Sequence, residues 1–262
     1  MFPVLIRIGD FQLATYGLLV ASGYLLGIWW LTHERERMGL DEDRFWSLIY
    51  TLFFGAIGGG KLLYLMVEWR SVLDGSLHLL RDIRFGFVFF GGLLGYCITG
   101  AWWVRKHKVS FLKMSDYFGV ALPLGHAIGR PGCFLAGCCA GLPTTMPWGV
   151  RFTHPDTLVP ASLQGIPLHP TQLYESLMVG IVAFLAFKTI RKVQAGKLPE
   201  GSAFAVYIGL YSFARFIIEF FRGDDRGGFF LSLSPSQWIS LAVSAWAIWI
   251  FQRRRKVATE AV

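Results

Sequence analysis

Charge is what this chain is short of. Asp, Glu, Lys and Arg together make up 16% of it, where soluble globular chains carry about 25%. With 54% hydrophobic residues and a mean hydropathy of +0.48, the deficit excludes an ordinary water-soluble domain. Acid is scarcer than base, 17 residues against 25, for a formal net charge of +8. Such an excess can mark a nucleic-acid binder, but here the cations stand in short clusters between apolar runs. That pattern fits the positive-inside rule and anionic lipid headgroups, so membrane lipids and no nucleic acid are the expected partners. A basic segment ahead of a short apolar stretch is also missing. The first long run, Leu13–Leu31, outlasts the core of a cleavable signal and reads as a retained transmembrane helix. Internal repeats are absent, and no polar stretch is long enough to form a separate soluble domain.

What is present is a series of apolar runs near 12–32, 45–67, 86–104, 114–129, 173–190, 202–221 and 235–252, each close to the ~20 residues that cross a bilayer. The expected fold is an all-α integral membrane protein of seven helices forming one polytopic domain over 1–262. A short arm, Met1–Phe11, alternates apolar and polar residues and is expected at the membrane surface. Fifteen Lys and Arg residues follow the first, third, fifth and seventh runs, and eight lie on the opposite side. The poorer side includes the longest connection, an outer loop at about 130–172. The charge bias therefore predicts an outside N-terminus and a cytoplasmic C-terminus.

Ionisable groups inside spans cost about 2.5–3.5 kcal/mol on insertion scales and so become candidates for function. In the late run YIGLYSFARFIIEFFR, Tyr207, Tyr211, Arg215, Glu219 and Arg222 follow at helical spacing and share one face. A snorkelling helix end accounts for Arg222, whereas Arg215 lies deeper. Lys61 follows Gly58–Gly60 in mid-span; the glycines suit a close helix contact and the lysine does not. Gly91, Gly92 and Gly95 also have the spacing of a packing face. Tyr16 can serve as an interfacial aromatic. In HPTQLYES, Thr171, Gln172 and Glu175 follow helix-start grammar, while His169 is not needed for it and can act as base, ligand or donor.

The stretch 125–141, GHAIGRPGCFLAGCCAG, is the most unusual for a membrane helix. Arg130 offers a planar fork for phosphate or carboxylate. Cys133, Cys138 and Cys139 admit a disulfide, a metal site with His154 or His169, a reactive thiol, or packing.

These residues, in this order, resemble the prolipoprotein diacylglyceryl transferase family over nearly the whole chain: the Tyr16–Gly17 opening, GGGKLLY, FGGLLG, GRPGCF…G, HPTQLYE, RFIIEFFR and the closing SPSQW. The resemblance implies a bacterial plasma (inner) membrane enzyme whose active site faces the outer side. Its substrates would be phosphatidylglycerol and a preprolipoprotein lipobox peptide, with no cofactor or metal. The lipobox thiol would displace glycerol phosphate from the diacylglyceryl group and form a thioether. Arg130 and Arg215 would be catalytic, with His169 as the favoured base. Tyr16, Lys61, Tyr64, Gly91, Gly92, Gln172, Tyr174, Glu219 and Arg222 would bind substrate.

The chain also departs from the family pattern. Phe90 stands before Gly91–Gly92 where a histidine is usual, so the base must come from elsewhere, and His126 and His154 are the other candidates. Lys61 replaces an arginine. Cys133, Ala136 and Cys138 stand where asparagine, asparagine and glutamate are usual. These departures keep open a transferase with another acceptor and a non-catalytic lipid-binding or transport homologue.

Overall fold

The computed structural model describes residues 2–9, 11–73, 86–223 and 230–260. Arg81, Arg84 and Arg226, counted above on the outer side, lie outside the described residues. Helices form at every apolar run: α1 (Thr15–Met38), α2 (Glu42–Val67), α4 (Phe89–Lys106), α5 (Phe111–Ala136), α6 (Thr171–Gln194), α7 (Ser202–Glu219) and α8 (Pro235–Glu260), with a one-turn α3 (Trp69–Leu73) after α2. Among the described residues four of them, α1, α2, α6 and α7, are long and apolar enough to cross a membrane. The protein is thus a mostly helical membrane chain. It is not purely helical, because two small antiparallel sheets join β1 (Val4–Ile8) to β2 (Phe11–Ala14) and β3 (Val150–Arg151) to β4 (Pro167–Leu168).

The N-terminal arm is the β1–β2 hairpin. Its period-2 alternation is the strand signal, and Gly9, at φ +56°, makes the turn. Ile6 pairs with Leu13 and Ile8 with Phe11. Thr15 closes the hairpin onto the first helix, its amide donating to the Pro3 carbonyl at 3.0 Å.

The chain packs as two compact units, one of residues 1–33 and 115–262, the other of residues 34–114. In the second unit α2 and α4 meet through glycine. A Cβ placed on Gly59 would run into the Gly91 carbonyl oxygen, and one on Gly95 into that of Gly55. Phe87 lies against Gly60 and Gly92, and the Tyr64 ring covers Gly86. Without a hydrophobic drive between helices in lipid, this backbone approach is what holds such a pair.

In the first unit α1 crosses α5 in the same way, Gly23 against the Gly125 carbonyl. α5 runs on through Arg130 to Ala136, so the outer connection begins later than the sequence suggested. Pro131 lacks the N–H that would bond the Ala127 carbonyl, and Ser176 Oγ of α6 donates to that carbonyl at 2.7 Å. The helix continues because its neighbour repairs the missing bond. At the other end of α5, the buried carboxylate of Asp116 accepts from the backbone amides of Gly201 at 2.7 Å, Ala203 at 2.8 Å and Phe204 at 3.0 Å. A side chain from α5 thereby satisfies the orphan donors that open α7.

Asp116→Ala would leave two buried amides and the half-buried amide of Phe204 without acceptors, at about 1–3 kcal/mol for a single buried group. We expect a clear drop in the thermal midpoint of the purified protein in detergent, with Asp116→Asn intermediate. An unchanged midpoint in the alanine variant would remove this cap from the account of the fold.

Candidate functional site

Three helices of the first unit bring their ionisable groups to one place. α5 supplies His126 and Arg130, one helical step of four apart. α6, which starts at Thr171, supplies Glu175 one turn in, beyond the first turn where the sequence placed it. α7 supplies Tyr211 and Arg215, and Arg222 follows just beyond its end.

Glu175 is the hub, with its side chain 1% exposed. Arg130 Nη2 donates to its Oε1 at 2.7 Å. His126 Nε2 lies 3.4 Å from the same oxygen, and Arg222 Nη1 is 3.8 Å from Oε2. Arg130 Nε also donates to His126 Nε2 at 3.0 Å, a contact in which that nitrogen is the acceptor. The His126 ring meets Tyr211 edge to face at 5.5 Å between centroids.

Arg215 is buried and interacts electrostatically with Arg222, Glu219, Glu175 and Tyr211. Its Nη2 is 2.5 Å from Glu219 Oε2, yet the contact lacks hydrogen-bond alignment. Among the described residues both Arg215 Nη atoms are without hydrogen-bond partners. Glu219 is held from its other oxygen by Ser234 Oγ at 2.9 Å. Ser234 and Gln237 form a reciprocal capping box at the start of α8, the Ser234 amide donating to Gln237 Oε1 at 2.9 Å and the Gln237 amide to Ser234 Oγ at 3.2 Å. The closing SPSQ motif is therefore helix-start grammar that also positions Glu219.

The cluster of Arg130, Arg215 and Arg222 against Glu175 and Glu219 carries one positive charge in excess. Desolvated cations seek an anion, and a phosphodiester, with one negative charge, would neutralise the cluster.

Gln172 and Thr171 hold the neighbouring loop. Gln172 Nε2 donates to the Cys138 carbonyl at 2.7 Å and Thr171 Oγ1 to that of Cys139 at 2.8 Å. Gly137 and Cys139 take left-handed backbone, φ +81° and +60°. The segment then pairs with the end of α7, the Leu142 amide donating to the Phe221 carbonyl at 2.9 Å. All four cysteines are free thiols, so no disulfide joins Cys133 to Cys138 or Cys139. The three gather by sulfur hydrogen bonds beside two arginines: Arg130 Nη1 donates to Cys133 Sγ at 3.9 Å. The Cys139 thiol is held below its usual pKa by hydrogen bonds from Cys133 and Cys138 and by Arg222. Among the described residues no group of three or more His, Cys, Asp or Glu is arranged to hold a metal ion.

The other expected residues have the following surroundings. His169 Nδ1 meets the Tyr174 hydroxyl at 3.2 Å, Trp148 Nε1 donates to that hydroxyl at 2.7 Å, and the His169 ring packs on Phe221 at 5.2 Å. His169 and Tyr174 thus belong to an aromatic group, and the histidine beside Arg130 is His126. Gly91 and Gly92 are buried where α4 packs on α2. Lys61 and Tyr64 lie on α2. Tyr16 packs its backbone on Gly132. The sequence placed Glu175 in a first helical turn, where it had a local explanation, and so its role as hub was missed. The pair His126 and Arg130, four residues apart on an apolar helix, was a usable signal.

A family model described as prolipoprotein diacylglyceryl transferase matches residues 3–253. A phosphatidylglycerol–prolipoprotein diacylglyceryl transferase of Clostridium tetani is 36% identical over 96% of this chain and 97% of its own length. A protein of Clostridium perfringens with the same name, numbered 2, is 33% identical over 92% and 90%, and one of Geobacter sulfurreducens is 33% identical over 85% and 83%.

Removing one partner of a buried ion cluster typically costs about 3–5 kcal/mol. Glu175→Ala leaves Arg130 and Arg222 without their shared carboxylate, and should destabilise the purified protein by that order in detergent unfolding. A variant as stable as the parent would mean that Glu175 does not hold these helices.

Proposed function

Since the chain belongs to the prolipoprotein diacylglyceryl transferase family, we propose that it moves the diacylglyceryl group of phosphatidylglycerol onto the lipobox cysteine thiol of a preprolipoprotein. The sulfur–carbon bond forms as the carbon–oxygen bond to phosphate breaks, leaving a thioether and glycerol phosphate. The observation that carries this reading is the buried cluster with one excess positive charge and a guanidinium, Arg215, whose Nη atoms have no hydrogen-bond partner among the described residues. Arg130 and Arg215 hold the phosphate and stabilise the charge that builds on it as the bond breaks. Arg222 adds to the field. Glu175 and Glu219 keep the three cations from repelling one another apart. Tyr16, Lys61, Tyr64, Gly91, Gly92, Gln172 and Tyr174 remain proposed contacts for lipid or peptide.

The setting follows from the same reading. The chain is one polytopic domain of the bacterial inner membrane. Seven helices cross, with the N-terminus outside and the C-terminus in the cytoplasm, and the site opens on the outer side. The cation bias and the helices at all seven apolar runs support this. Another acceptor, or a lipid-binding homologue without catalysis, is less well supported, because relatives at 33–36% identity bear the transferase name.

Purified protein in phosphatidylglycerol vesicles should modify a lipobox peptide on its cysteine, read by mass spectrometry. Arg130→Ala and Arg215→Ala should each lower turnover at least about 100-fold, as loss of a transition-state donor does. Near-full activity in either variant would contradict the phosphate clamp. Binding of lipid without any turnover in the parent chain would favour the non-catalytic homologue.

A further inference from the structure

The transfer needs a base. A free thiol has a pKa of about 8.5, so only a small fraction is thiolate at neutral pH, and Phe90 cannot take a proton. Five of the chain's histidines fall among the described residues. His33 and His107 have Nδ1 on the carbonyls of Trp29 and Trp103, one helical turn earlier in their own helices. His154 accepts from the Asp156 amide in the outer loop at 3.2 Å. His169 belongs to the aromatic group with Tyr174 and Phe221. Only His126 touches the arginine that holds phosphate in the reading above.

We propose that His126 is the catalytic base for the acceptor thiol, uncovered when Arg130 turns to the lipid phosphate. The Nε2 lone pair of His126 accepts the Arg130 Nε–H at 3.0 Å. A phosphate competes for that donor, because a charged acceptor forms the stronger bond. Once the arginine turns, Nε2 is free to take the thiol proton. The side chain is 27% exposed, so an entering thiol can reach it. The new Nε2–H then faces Glu175 Oε1, 3.4 Å away and fully buried, which stabilises the imidazolium. The charged and titratable groups around the ring come from its own helix (Arg130), from α6 (Glu175) and from α7 (Tyr211).

The balance is closed. Thiol and neutral imidazole give thiolate and imidazolium. The thiolate sulfur bonds the glyceryl carbon, the carbon–oxygen electron pair leaves on glycerol phosphate, and the imidazolium returns its proton to that phosphate. The order of events also follows, with lipid binding before the thiol is activated.

This inference rests on the transferase reading, and a pair of acceptors separates the two. The full chain in phosphatidylglycerol vesicles is given a lipobox peptide with cysteine or with selenocysteine, whose selenol is already ionised at neutral pH and needs no base. Parent protein should modify both. His126→Gln should lose about 100-fold or more on the thiol, within the range for a general base, while losing less than about 10-fold on the selenol. Equal losses on both acceptors would make His126 a structural residue and overturn the proposal, as would full activity of the variant on the thiol. His126→Asn, which presents a smaller amide, guards against a packing effect peculiar to glutamine, and must show the same split. A parent protein inactive on both peptides would instead defeat the transferase reading.

Discussion

A carboxylate with 1% of its side chain exposed, ringed by cations, sets the terms for this molecule. Glu175 takes its neighbours from two other helices, α5 and α7, and from the segment beyond α7, so its burial is tolerable only if all of them arrive together. The contacts around it are the means of arrival. Ser176, the next residue, bonds the carbonyl that Pro131 would otherwise strand, one turn from Arg130. Asp116 fixes the start of α7 from the far end of α5. The capping box of α8 holds Glu219, which holds Arg215. Helices in lipid gain little by hiding apolar surface from one another, and this unit relies on glycine contacts and polar joints in its place.

The excess positive charge of the cluster depends on what stands beside it. Where the family pattern leads one to expect asparagine at position 133 and glutamate at position 138, this chain has thiols. Neutral sulfur is a weak acceptor, so Cys133 occupies an Arg130 donor at 3.9 Å without matching a phosphate oxygen for it. A carboxylate there would add an internal anion. Cys133 therefore leaves Arg130 more available to a ligand, and the loop that carries the cysteines is held by the Thr171 and Gln172 side chains, which donate to its carbonyls independent of the sulfur.

Much of this was legible in the sequence, for physical reasons that differ by element. Apolar run length marks helices because the bilayer sets a length, and each run is a helix. The spacing of Tyr211, Arg215 and Glu219 announced a polar face because α-helical periodicity is fixed. The N-terminal arm showed its alternation, but hairpin pairing depends on the Gly9 turn, which composition does not weigh. Arg130 was identified while its surroundings were misread: glycines and a proline look like a turn, and only the Ser176 hydroxyl, 49 residues away in sequence, lets the helix continue. Glu175 was hidden because helix-start grammar appeared to explain it, although the helix places it one turn further in. Gly91 and Gly92 have the same spacing whether a glycine face meets a helix or a ligand, and here it meets α2.

The position of the base bears on the electrostatics of the whole reaction. Before attack, three arginines balance two carboxylates and one phosphodiester, with thiol and imidazole neutral. If the proton left for solvent, a second anion would have to form beside the phosphate in a site with little water to screen it. Holding the proton on His126, against Glu175, keeps the cluster neutral: three arginines and an imidazolium face two carboxylates, a thiolate and the phosphate. Breaking the carbon–oxygen bond moves the thiolate's charge onto glycerol phosphate without changing that total. His169, whose hydrogen bond and ring contacts are to Tyr174 and Phe221, makes no hydrogen bond or ion pair with Glu175 among the described residues that would hold an imidazolium in the same way. The adjacency of His126, Arg130 and Glu175 is therefore what allows a nucleophile and an anionic leaving group to share one desolvated site.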